Sequence, residues 1–152
     1  MDKTKACVVF HTGDWKIDYK PQIGEGINKK RLKQLSNENI IAMVCDSTNV
    51  LVEGSSGSEE DVIKPLTKVM KDCKGRVVVT TFASNVTRVN TIAKIGVSLG
   101  KKVGLVGQSM WRMVEIAKTC GYLTDLPAFV SEKDIKNIDA DKILIICTGS
   151  QG

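Results

Sequence analysis

The chain has one histidine, His11, in 152 residues. A catalytic zinc centre draws most of its ligands from imidazoles and carboxylates. This chain therefore lacks the donors to build such a centre from its own side chains. Other absences narrow the field further. No stretch approaches the roughly 20 apolar residues that cross a bilayer, and no membrane partner is expected. Met1-Asp2-Lys3-Thr4-Lys5 lacks the apolar core of a secretory signal, so a cytoplasmic location is expected. No Cys-x-x-Cys pair occurs among Cys7, Cys45, Cys73, Cys120 and Cys147, which leaves them as reduced, small core residues rather than a metal cage. There is no Gly-x-x-x-x-Gly-Lys-Ser/Thr loop and no Gly-x-Gly-x-x-Gly after a strand, which argues against the common nucleotide-binding folds.

What remains is ordinary globular material, 42% apolar and 26% charged, long enough to bury a core. A net charge of +5 is compatible with a polyanionic partner, though a mild basic surplus on solvated faces accounts for it equally well. Four short apolar runs follow one another: Ile40–Val44, Val77–Thr80, Val103–Val106 and Ile143–Ile146. Continuous rather than alternating apolar character implies strands buried on both faces of a parallel sheet. Helical patterns lie between them. Ser84 is expected to cap a helix carrying Val86, Val89, Ile92, Ala93 and Val97, with Gly100 as its stop. Ser109 is expected to cap another, ended by Gly121. Ser58-Glu59-Glu60-Asp61 opens a third, in which Pro65 should kink the helix or move its start. Alternation of this kind predicts a three-layer, Rossmann-type α/β fold, a mainly parallel sheet with helices on both faces.

In such sheets ligands bind beyond the carboxyl ends of the strands. Those ends read Asp46-Ser47-Thr48-Asn49, Thr81-Phe82-Ala83-Ser84-Asn85, Gly107-Gln108-Ser109 and Thr148-Gly149-Ser150-Gln151-Gly152. Small hydroxyl, amide and glycine residues suit either an anion-facing edge or plain loops and caps. Phe82 stacks on a base or plugs the core, and Arg88 faces a phosphate or solvent. Asp14 and Asp46 each follow an apolar run, the placement that projects a carboxylate from a strand end.

His11-Thr12-Gly13-Asp14-Trp15-Lys16-Ile17-Asp18, Cys45-Asp46-Ser47-Thr48-Asn49, Thr80-Thr81-Phe82-Ala83-Ser84-Asn85 and Cys147-Thr148-Gly149-Ser150-Gln151-Gly152 occur in the order and spacing of one family. Over essentially its whole length the chain resembles the ribonuclease J family, in the β-CASP branch of the metallo-β-lactamase fold. The resemblance implies a two-zinc hydrolase with endonucleolytic and 5′-to-3′ exonucleolytic action on RNA, in mRNA decay and rRNA maturation. Residues 1–28 would be the end of the metallo-β-lactamase portion and a connection, and 29–152 an incomplete β-CASP domain. Asp14 matches the metal-bridging aspartate and Asp46 the acidic residue of the first β-CASP motif, which supports catalysis. Phe82, Ser84, Asn85, Ser150 and Gln151 are the candidate RNA contacts. His11 matches a position that is not a metal ligand.

The departures from the family pattern are large. The His-x-His-x-Asp-His segment and the separate third-motif histidine are absent, as are the later histidine motifs. Gln108 stands where the family usually has an arginine, which removes a bidentate phosphate donor. The expectation is a ribonuclease fragment from a truncated or split reading frame, unable to bind both zinc ions or hydrolyse RNA alone. The alternative is a non-catalytic RNA- or nucleotide-binding module that complements a split nuclease. Expected partners are RNA and either the missing metallo-β-lactamase half or a homo-oligomer partner.

Overall fold

The apolar runs become strands in the computed structural model, which describes residues 2–3 and 7–149. In chain order the elements are β1 (Asp2–Lys3), β2 (Val8–His11), α1 (Lys29–Leu35), β3 (Ile40–Val44), α2 (Glu60–Asp72) and β4 (Val77–Thr80). There follow α3 (Val86–Ser98), β5 (Lys102–Val106), α4 (Gln108–Thr119), α5 (Glu132–Ile135), a 3-10 turn at Ala140–Lys142 and β6 (Ile143–Cys147). They fall into two compact units. One holds the chain through Ser58 except Gln22–Gly24, and the other holds Gln22–Gly24 and everything from Glu59. This division lies well beyond the boundary expected after residue 28.

In the second unit β6 is the middle strand, parallel to β4 on one side and β5 on the other. Its side chains alternate between two cores. Leu144 and Ile146 pack with Val89, Ile92 and Ala93 of α3, Met110 and Val114 of α4 and Met70 of α2. Ile143 and Ile145 pack on the opposite side with Ile135 of α5. Burial on both faces is why this strand tolerates no polar alternation. β5 shares the arrangement, and its Gly104 lets Ile135 approach; a Cβ there would sit 2.7 Å from the Ile135 Cδ1. The short α5 does not extend over β4, so Val78 is 54% exposed where the sequence implied burial.

The helix boundaries follow capping chemistry. Asn85, not Ser84, caps α3: its side chain accepts from the Arg88 N–H at 3.0 Å. A turn closed by the Asn85 N–H on the Phe82 carbonyl carries the chain past Ser84 first. Gly100 ends α3 as expected, with φ +72 and paired bonds from the Lys101 N–H to Gly96 and the Gly100 N–H to Val97. Gly121 ends α4 the same way. α4 starts at Gln108, ahead of Ser109, because Gly107 at φ +104 turns the chain directly out of β5. α2 runs through Pro65. Ile63, Leu66 and Met70 share the face that packs on the core, and this burial offsets the missing N–H.

In the first unit β2 pairs antiparallel with β1 and parallel with β3. The expectation that Ile40–Val44 joins the same sheet as the later runs is corrected: it belongs to this separate sheet. None of the unit's described residues is fully buried, and Ile41, Met43 and Val44 of β3 are exposed. A three-stranded sheet without a packed face is marginal. Backbone amides of β2 and β3 are expected to exchange with solvent at least ~100-fold faster than those of β6. Equal protection in a hydrogen-exchange experiment would contradict this.

The cysteines also depart from expectation. Cys45, Cys73 and Cys120 are exposed and Cys7 and Cys147 half-buried, none in the core. They sit at the ends of elements rather than along their apolar faces: Cys73 and Cys120, for example, are helix C-caps.

Candidate functional site

Asp14 and Asp46 come off the same end of two adjacent parallel strands. β2 and β3 are in register at His11 and Val44, and the Thr12 N–H donates to the Val44 carbonyl at 3.0 Å. Asp14 follows His11 by a turn in which the Gly13 N–H donates to His11 Nδ1 at 3.0 Å. Gly13 has φ +64, a conformation that costs glycine little. The Asp14 carboxylate is exposed. Asp46 is exposed too, but anchored: its Oδ1 accepts from the Thr48 N–H at 2.8 Å and the Thr48 hydroxyl at 2.6 Å.

These two bonds stabilise the ionised form and hold the Asp46 carboxyl below its ordinary range, the hydroxyl bond contributing most. A depressed folded-state pKa makes this turn's contribution present above the ordinary carboxylate pKa and lost as pH falls through the folded value. Thr48→Val is expected to move the Asp46 titration back toward normal, read from its side-chain carboxyl resonance in NMR. An unchanged titration would show that the Thr48 hydroxyl does not hold the charge.

In the second unit, the carboxyl ends of β4 and β6 open onto a cleft of about 320 Å³ lined by Thr80, Thr81, Phe82, Asn85, Arg88 and Gly149. Phe82 is 70% exposed, so it does not plug the core; its ring is presented to solvent at the cleft. Of the residues singled out from sequence, Phe82, Asn85 and Arg88 line this cleft. Ser84 is exposed beside them without lining it. Ser150 and Gln151 lie outside the described residues.

The helix starts, expected to be open to anions, are served in part by the protein's own groups. Asn85 takes the Arg88 N–H in the first turn of α3, while the Gly107 N–H before α4 donates to the Glu132 carboxylate at 2.7 Å. Arg88 faces neither solvent alone nor an open phosphate site. Its Nε and Nη2 donate to the two Glu59 oxygens at 2.8 and 3.0 Å, and the carboxylate holds the guanidinium pKa above its ordinary value. The sequence carried no signal of this 29-residue pairing. Glu59→Gln is expected to cost about 1 kcal/mol in denaturant unfolding, since both side chains are only partly buried. A loss above about 3 kcal/mol would show that the pair organises more than its own contact.

The second unit is thus a parallel α/β domain with its polar loops gathered at the strand ends. A family model for the β-CASP domain of ribonuclease J matches residues 74–152. The chain belongs to the ribonuclease J family. It is 43% identical over 150 residues to a ribonuclease J of Sinorhizobium meliloti, covering 99% of this chain and 27% of that protein. It is 40% identical to one of Corynebacterium glutamicum, over 99% of this chain and 21% of that protein. For one of Mycoplasma pneumoniae the identity is 37%, over 95% and 25%. The chain spans about a quarter of the length of these relatives.

Among the described residues no three His, Cys, Asp or Glu side chains converge as a metal site would require. A dinuclear zinc centre does not fit this donor set taken alone. No helix among them is long and apolar enough to cross a membrane.

Proposed function

We propose that this chain is the β-CASP part of a zinc-dependent ribonuclease J-like enzyme together with the end of its metallo-β-lactamase part, acting on RNA in its processing and decay. The observation that carries the reading is the emergence of Asp14 and Asp46 from one end of a parallel strand pair. In this role Asp14 supplies one carboxylate to a metal centre whose imidazole ligands come from elsewhere. Asp46, held in place by its two bonds from Thr48, supports that centre. The exposed ring of Phe82 stacks a base at the strand-end cleft, and Asn85 has an amide N–H₂ left to donate to the RNA backbone. Residues 1–28 are the end of the metallo-β-lactamase portion with its connection and 29–152 the β-CASP domain on this reading, and the reaction takes place in the cytoplasm.

Zinc-dependent RNA hydrolysis is expected from a mixture of this chain with a polypeptide carrying the His-x-His-x-Asp-His segment, and from neither alone. Hydrolysis by the chain alone overturns the ligand argument. A mixture that binds RNA without ever cleaving it overturns the catalytic reading in favour of a non-catalytic RNA-binding module.

A further inference from the structure

Asn90 of α3 is 8% exposed, and its side chain has no hydrogen-bond partner among the described residues. Among the described residues no side-chain N or O is both sealed from solvent and unpartnered, so the Asn90 amide still reaches solvent and keeps donor and acceptor capacity to offer a ligand. That amide borders a cleft of about 380 Å³, walled also by Lys94, Tyr122, Thr124 and Asp125. Lys94 stands one turn beyond Asn90 on the same helix face, and it also borders two adjoining clefts of about 230 and 480 Å³. Asp125 continues into the larger of these. Tyr122 is exposed, just past the Gly121 stop of α4. The cleft shares no residue with the strand-end cleft at Phe82. α4 runs back from the carboxyl end of β5, which places the Gly121–Asp125 turn toward the opposite end of the sheet.

We propose that this cleft is a second, separate nucleotide site. Four of its wall groups match parts of a ribonucleotide. The Asn90 amide, donor and acceptor together, pairs with the edge of a base such as adenine. The Tyr122 ring offers a stacking face. The Asp125 carboxylate accepts from ribose hydroxyls, and Lys94 neutralises the phosphate. The volume lies in the range of small-ligand pockets. A free nucleotide and one nucleotide of an RNA strand present the same chemistry. Only the strand as source rests on the ribonuclease reading.

The test is titration of the 152-residue chain with 5′-AMP, and separately with a tetra-adenylate, followed by amide NMR. The Asn90 side-chain amide and the Lys94 and Gly121–Asp125 backbone signals are expected to shift. Asn90→Ala and Lys94→Glu are each expected to weaken binding tenfold or more with an unchanged melt. Lys94 is exposed, so that variant decides the matter if Asn90→Ala fails to fold. Shifts with AMP establish a free-nucleotide site, and shifts with the oligonucleotide alone assign it to the RNA strand. Shifts confined to Thr80–Arg88 overturn this site and leave the RNA reading intact. Undiminished binding by both variants overturns it as well, and silence at both clefts defeats both readings.

Discussion

Gly96→Ala is expected to destabilise the β4–β6–β5 unit by about 2 kcal/mol, although alanine is the better helix former by about 1 kcal/mol. The reason is contact. A Cβ on Gly96 would stand 2.5 Å from Leu144 Cδ2 and 3.1 Å from Val103 Cγ2. Both neighbours are buried in the core, with Leu144 fully enclosed on the central strand, so neither can move aside without disturbing other contacts. Calorimetry should register a fall of roughly 10 °C in Tm for a unit of this size. Leu144→Ala alone should cost about 2–5 kcal/mol through its cavity. The double variant, in which the new methyl enters the space Leu144 vacates, should lose clearly less than the sum. Additive losses would show that α3 does not sit on β6 as closely as described.

The second large effect concerns chemistry. In the reconstituted mixture, Asp14→Asn is expected to lower the rate of RNA hydrolysis about a thousandfold, equivalent to about 4 kcal/mol of barrier. An amide cannot supply the negative charge that a pair of cations requires, and it alters nothing packed, because Asp14 is exposed. The melting temperature should therefore stay unchanged while activity and zinc content fall together. Asp46→Asn should do less, because a supporting carboxylate acts through the geometry of others. A full-rate Asp14→Asn mixture would remove Asp14 from the metal centre and with it the proposed role.

How far the sequence foretold this arrangement depends on the range of the interaction. Strands at Val77, Val103 and Ile143, and the glycine stops at Gly100 and Gly121, were legible because apolar runs and positive-φ requirements are properties of a few adjacent residues. Cap identity failed at Ser84 and Ser109. At Ser84 the neighbouring Asn85 caps instead, and at Ser109 the Gly107 turn starts the helix two residues earlier. The cysteines were misplaced because apolar neighbours in the chain are not apolar neighbours in space. Pairing of Arg88 with Glu59, and of Glu132 with the Gly107 N–H, left no local trace at all.

The sequence by itself determined the main strands and the three longer helices, the family, the two aspartates behind their apolar runs, and the shortage of imidazole that limits what the chain can ligate. Tertiary structure decided which strands share a sheet. It brought Phe82, Asn85 and Arg88 to one cleft, and it left the Asn90 amide without a partner beside Lys94 and Tyr122. The physical reason is that propensity and capping act over one or two turns. Sheet partnership, ion pairing and burial are settled by residues dozens of positions apart, whose meeting depends on how all the elements pack at once.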